Sequence, residues 1–254
     1  MESQQGHPYL ILQKAFSLKK WIIRGVGGSI IKLIFKSFKY HLVYYIMALS
    51  SNRILSIYKS RNTIIEQLKN LGYDTSDYAE FSINEIDAMN TNNQLDMLIS
   101  KEDGQKIYIK YLLTIKQLRK DNLDQLIEDL YDIENVLEKK DTLVIIANEE
   151  PNETITQRIK YLYDQSGIFI VLHYIKRLQF NLLKHVLVPS AKILKDEEVE
   201  SLKLTYNMKT LTDLPEISRF DPQALAMCLR PNQVIKIDRK SDTALEYNYY
   251  RVCV

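Results

Sequence analysis

The chain has 254 residues, of which 46% are hydrophobic and 26% charged, with a formal net charge of +2. That balance suits one or two domains with real cores and excludes a compositionally disordered polypeptide. Cys228 and Cys253 lack CxxC spacing and read as buried reduced thiols, a disulfide being the minor alternative, while His7, His41, His173 and His185 form no ligand cluster, so no metal or other cofactor is expected.

Charge is unevenly spread. Residues 1–46 carry seven Lys or Arg and a single acid, Glu2, a net +6 against −4 for the remainder. Lys32, Lys36 and Lys39 interrupt the apolar run there, which falls short of the ~20 residues a spanning helix needs. The segment reads as an extension outside the fold, arising from an early start codon before Met47; a basic amphipathic segment on a membrane or partner is the other reading.

From Asn52 the pattern becomes regular. Asn52 is placed as the N-cap of a helix with Ile54, Ile57, Tyr58, Ile64, Ile65, Leu68 and Leu71 on its apolar face, ended by Gly72. The runs 95–99 and 107–112 flank Asp103-Gly104, a hairpin signal. A second amphipathic helix follows through Leu123, Leu126, Ile127, Leu130, Tyr131 and Leu137. Residues 142–147 read as a strand, 154–163 as a helix, and 168–172, after Gly167, as another buried strand. Helices alternating with apolar strands predict an α/β sheet covered on both faces.

Near residues 178–187 the grammar changes. Asp196 is expected to cap a short helix with Glu197 and Glu198 in its first turn and Val199, Leu202 and Tyr206 on its buried face. Pro215 and Pro222 fix two connections, Pro231-Asn232 makes a turn, and strands are expected over 233–239 and 247–253.

The last third carries a dense motif: Leu187-Val188-Pro189, Glu197-Glu198, Leu214-Pro215-Glu216-Ile217, Asp221-Pro222, Gln233-Val234-Ile235-Lys236-Ile237-Asp238-Arg239, Ser241 and Tyr250-Arg251. In order and spacing, with one insertion near Leu211, these residues resemble the fifth subunit of eukaryotic nuclear RNA polymerases, and the C-terminal module is similar to the archaeal H subunit. The resemblance implies three parts: the extension at 1–46, a jaw-like α/β domain at 47–182 that looks like a restriction-nuclease fold with a degenerate site, and a small α+β assembly domain at 183–254. It also implies a non-catalytic subunit of a DNA-directed RNA polymerase. Its partners would be the largest subunit, neighbouring small subunits and downstream DNA, with no small-molecule substrate and no membrane.

The departures matter. Ala191 stands where the family usually has His, Asn232 replaces the usual Gly, and Lys240 interrupts Arg-Pro-Ser. A Thr-Pro-Ser-Ala-Lys-like loop that normally faces DNA is here Glu149-Glu150-Pro151-Asn152-Glu153, where carboxylates would repel phosphate. Such a divergent copy is similar to those encoded by large nucleocytoplasmic DNA viruses, which implies an intracellular site (host nucleus or cytoplasmic viral factory) and packaging in the virion.

Candidate residues follow. Partner docking is assigned to Pro189, Pro215, Asp221, Pro222, Gln233, Lys236, Arg239, Ser241, Tyr250 and Arg251; a DNA-facing role is considered for Pro151, Lys106, Lys110 and Lys116. Arg239 and Arg251 read as bidentate partners of carboxylates in a partner subunit or within the module, with phosphate binding as the alternative. Tyr247, Tyr249 and Tyr250 read as core and interface, with base stacking as the alternative. Lys106, Lys110, Lys116, Arg119 and Lys120 form either a solvated face or a DNA patch. Asp96 and Lys110 could occupy nuclease positions, but Tyr108 holds the second carboxylate slot, and one carboxylate retains Mg²⁺ poorly. No catalytic residue is assigned. A free-standing DNA-binding or nuclease-like module is the alternative function.

Overall fold

A computed structural model describes residues 51–254 apart from 116, 242 and 244. The chain divides into two compact units, Met1–Arg53 and Ile54–Val254. Both readings of residues 1–46 therefore lie outside the described residues, as does the expectation for Lys116. Residue 51 is already helical, so Asn52 is not a cap: a capping residue needs non-helical backbone angles.

In the second unit, α1 (residues 54–70) turns Ile57, Ile64 and Leu68 inward. It ends in a Schellman motif. Gly72, at φ +84°, donates to the Lys69 carbonyl and Tyr73 donates to that of Leu68. A helix absent from the sequence reading follows, α2 (Ile83–Thr91), started by a capping box in which the Ser82 hydroxyl accepts from the Glu85 amide and the Glu85 carboxylate accepts from the Ser82 amide.

Four strands form the first sheet, in the order β1 (Met97–Ser100), β2 (Lys106–Leu112), β3 (Thr142–Ala147), β4 (Phe169–Tyr174). The β1–β2 hairpin is antiparallel and turns at Gly104, whose φ is +79°; the other two pairs are parallel. The first crossover carries α3 (Lys120–Ile127), which runs on as a π-helical turn over Glu128–Ile133. The second carries α4 (Glu153–Ser166), capped by Asn152 at one end and closed by Gly167 in the left-handed region at the other. Leu123, Ile127, Ile155 and Ile159 pack under Leu143, Ile145, Ile170 and Leu172. On the opposite face Ile107, Ile109, Val144, Ile146 and Val171 meet α1 and Ile86 of α2. All six β3 residues are buried, as expected of a central parallel strand covered on both sides.

The second sheet has the order β5 (Ala191–Ile193), β7 (Val234–Ser241), β8 (Leu245–Cys253), β6 (Glu216–Ile217), antiparallel except for the β6–β8 pair. Ile217, Ile235, Ile237 and Cys253 bury one face with Ala224 and Leu229, while Val234 and Val252 on the other meet Leu202 of α5 (Asp196–Tyr206). Lys195 has the extended backbone of the N-cap and Asp196 is already helical, which corrects the assignment of Asp196 as the cap; the acids still sit in the first turn, where the dipole favours them. Tyr206 was expected on the buried face but is 59% exposed, since its ring meets Tyr250 edge-on and its polar tip stays wet. Pro231-Asn232 makes the predicted turn: Asn232 has φ +68°, and the Gln233 amide donates to the Arg230 carbonyl.

Candidate protein-docking surface

The β7–β8 pairing sets the candidate docking residues into two rows. Ile235↔Arg251, Ile237↔Tyr249 and Arg239↔Tyr247 share one face; Lys236↔Tyr250 and Asp238↔Asn248 share the other. Along the first row the Tyr249 ring lies under two guanidinium carbons, Arg239 at 4.3 Å and Arg251 at 5.3 Å. Each such contact stabilises by roughly 0.5–2 kcal/mol depending on desolvation. Among the described residues neither arginine has a carboxylate partner, and the buried Arg251 Nε makes no hydrogen bond. Planar donors are thereby held ready without being neutralised. On the second row Lys236 pairs with Asp238 at 3.4 Å and Tyr250 meets Tyr206 with centroids 6.0 Å apart.

A groove of about 730 Å³ runs beside this hairpin, lined in part by Val186, Leu187, Pro189, Lys236, Arg239 and Tyr247. Val186 and Leu187 are 97% and 84% exposed on a turn closed by a Val188 amide bond to the His185 carbonyl. Large apolar side chains this exposed mark contact surface better than core.

Several motif residues are structural ties. The Asp221 carboxylate caps α6 (Pro222–Ala226) by accepting from the Gln223 amide at 2.8 Å, and the Gln223 side chain donates to the Pro189 carbonyl at 3.1 Å. One glutamine thus binds the Leu-Val-Pro loop to the Asp-Pro turn. The Pro215 carbonyl accepts from Val252, Gln233 accepts from the Arg230 amide through its side chain and from the Cys253 amide through its backbone, and the Ser241 hydroxyl meets that of Thr243. Proline at 222 occupies the first helical position, which needs no amide donor.

Sequence reasoning missed Arg230. Its guanidinium donates to the carbonyls of Lys140 and Asp141 and to the Thr142 hydroxyl, and stacks 5.0 Å from the centroid of Phe169. It joins the second sheet to the start of β3, and Leu225 adds apolar contact by entering the first sheet's core. No local signal in Leu229-Arg230-Pro231 reports these acceptors, which lie some ninety positions away.

Asp96, beside the β1–β2 hairpin, is fully engaged within the fold. Asp96 accepts from Lys110 Nζ at 2.6 Å, from the Tyr111 amide at 3.1 Å and from the Tyr108 hydroxyl at 3.4 Å. Burial, and then Asp96, push the Tyr108 hydroxyl up to about 12, so it stays protonated. Among the described residues no group of three or more His, Cys, Asp or Glu could hold a metal ion.

The residues considered for DNA do not converge. Lys106 opens β2 beside the start of β3, Lys110 is tied to Asp96, and Pro151 lies beyond the opposite end of β3, among Glu149, Glu150 and Glu153. Glu150 pairs with Arg177 at 3.0 Å. Both thiols are free, and burial raises Cys228 to about 12 and Cys253 to about 11, so neither is a reactive thiolate. Among the described residues no helix is long and apolar enough to cross a membrane.

A family profile described as RNA polymerase Rpb5, C-terminal domain, matches residues 180–253. Over 76 residues the chain is 45% identical to DNA-directed RNA polymerase subunit Rpo5 of Thermococcus kodakarensis, spanning 30% of this chain and 92% of that protein. With the Rpo5 of Pyrococcus abyssi the identity is 46% over the same shares. The chain is also 36% identical over 92 residues to subunit RPABC1 of DNA-directed RNA polymerases I, II and III from Caenorhabditis elegans, which covers 36% of this chain and 43% of that subunit.

Proposed function

The chain belongs to the Rpb5 family of DNA-directed RNA polymerase subunits, and on that premise we propose that it acts in transcription as a non-catalytic subunit of a multisubunit polymerase. The observation that carries this reading is the match over residues 180–253, which takes in nearly the whole length of the archaeal subunits. The residues it covers fold into one sheet with its own two-sided packing.

Residues 183–254 serve as the assembly domain, docking on the largest subunit and neighbouring small subunits. Within it Arg239 and Arg251 on one face of the β7–β8 hairpin, and Lys236 and Tyr250 on the other, meet partner subunits, whereas Pro189, Pro215, Asp221, Pro222, Gln233 and Ser241 hold the loops that present them. The two guanidinium groups stacked on Tyr249 support this division: they are oriented before contact and unneutralised, which lowers the ordering cost of association. Residues 47–182 form a jaw beside downstream DNA, built on a nuclease-like hairpin whose Asp96 has become structural. The scatter of Lys106, Lys110 and Pro151 favours indirect shaping of that path over a continuous phosphate-binding strip. The divergence of the motif supports origin in a large DNA virus, with action in the host nucleus or a viral factory and packaging in the virion.

The test is affinity purification of the tagged full chain from its native source, followed by a mass-spectrometric inventory. The large polymerase subunits should be recovered in stoichiometric amounts. A chain that emerges alone, binding DNA in a salt-dependent manner, would instead establish the free-standing module.

A further inference from the structure

A second concavity lies away from the docking hairpin, where the chain passes from β4 into the second sheet. It encloses about 380 Å³, at the lower edge of the ~300–1,000 Å³ range of ligand sites. Leu182 and Leu225 form much of its wall, and Gln67 and His173, 4% and 5% exposed, are its buried polar groups. Phe180 stands at the mouth with 54% of its surface in solvent, far more than a core phenylalanine shows. The segment carrying it is fixed, since Gln179 donates to the carbonyls of Ser56 and Ile175 at 3.2 and 2.8 Å.

The charged residues of the lining are of one sign. Lys176 and Arg177 lie on the pocket wall, and no carboxylate lines it. Glu150 reaches Arg177 from outside, but both side chains are about half exposed, and such a pair contributes little and exchanges readily. Glu66 nearby is engaged by Lys184 and Asn181. Burial holds His173 neutral near pH 7, so the interior offers a hydrogen-bonding imidazole without charge.

We propose that this pocket receives a bulky apolar side chain from an acidic peptide segment of another protein, with Lys176 and Arg177 meeting the flanking carboxylates and Phe180 covering the inserted group. Apolar wall, exposed aromatic and cationic rim together fit a short linear motif better than a nucleic acid, whose bases would need stacking surfaces in series. The site is independent of the assembly role proposed above.

Fluorescence anisotropy on the full chain tests it, with a labelled peptide carrying Phe and Leu among Asp and Glu. Saturable binding is expected, weakened about tenfold or more by Phe180→Ser or by Lys176→Glu, and also when the peptide's Phe and Leu become Ser or its acids become Lys. Both substitutions are at the surface, and circular dichroism should show the fold kept. Equal binding by the charge-only peptide, indifference to Lys176→Glu, or equally strong competition by single-stranded DNA would overturn the proposal. Polymerase recovery through the Phe180→Ser chain should match the parent; its loss would merge this pocket with the assembly surface and refute a separate site.

Discussion

Replacing His173 with leucine should remove a specific acid sensitivity. The imidazole is buried on β4, and desolvation, with a smaller contribution from Arg177, pushes it from 6.5 down to about 4. Above pH ~6.5 it is neutral in both folded and unfolded chains and contributes nothing to the pH dependence. As pH falls below that value, the unfolded chain takes up a proton that the folded chain refuses, and stability is lost until the folded group itself protonates near 4. The linkage amounts to about 2–3 kcal/mol at pH ~4.5 and levels off at roughly 3 kcal/mol below that. Urea denaturation of parent and His173→Leu at neutral pH and at pH ~4.5 measures it. Carboxylates held below their ordinary range, such as Glu66, contribute equally to both proteins and cancel in the difference. The stability gap should shift in favour of the variant by about 2–3 kcal/mol on acidification. Parallel stability curves would refute the claim that this imidazole is buried neutral.

Arg230→Ala should destabilise the chain by about 2–4 kcal/mol, because it removes three hydrogen bonds and the contact with Phe169, although the Lys140 carbonyl keeps the Gln105 side-chain donor. Hydrogen exchange should quicken at residues 140–142, and unchanged protection would count against the joint described above. Asp96→Asn should lower stability by about 1–2 kcal/mol through the loss of the Lys110 pair, while Mg²⁺ leaves the parent's melting temperature unmoved. A Mg²⁺-dependent rise that the variant lacks would restore a metal role to the hairpin. Asn152→Ala and Gly167→Ala, at opposite ends of α4, should each cost about 1 kcal/mol by thermal melting and should add in the double variant.

Much of this architecture is written in local pattern. The hairpin at Gly104, the all-apolar strand at 142–147 and the stop at Gly167 each follow from one residue type or one period. So does the motif of the last third, because prolines, a helix cap and strand alternation leave strong marks. What escaped did so for identifiable reasons. The α2 start was legible in Ser82-Ile83-Asn84-Glu85, a capping-box spacing, but no strong apolar period followed: Ile86 is the one fully buried residue of that helix. Asp196 and Lys195 compete for one cap by backbone angle, which composition does not report. The stacking of Arg239 and Arg251 on Tyr249 depends on β7–β8 register, which no single residue of either strand reports. Arg230 is the extreme case, its role fixed entirely by remote backbone oxygens.

Leu225 carries a practical consequence. The sequence invites a cut near residue 182, yet this side chain, contributed from well beyond that point, completes the hydrophobic interior beneath the first four strands. A protein ending at the cut would be left with an open notch in its wall and greasy lining turned to water, prone to clump in the test tube. Severing the polypeptide there would thus spoil the four-stranded sheet by removing part of its own filling.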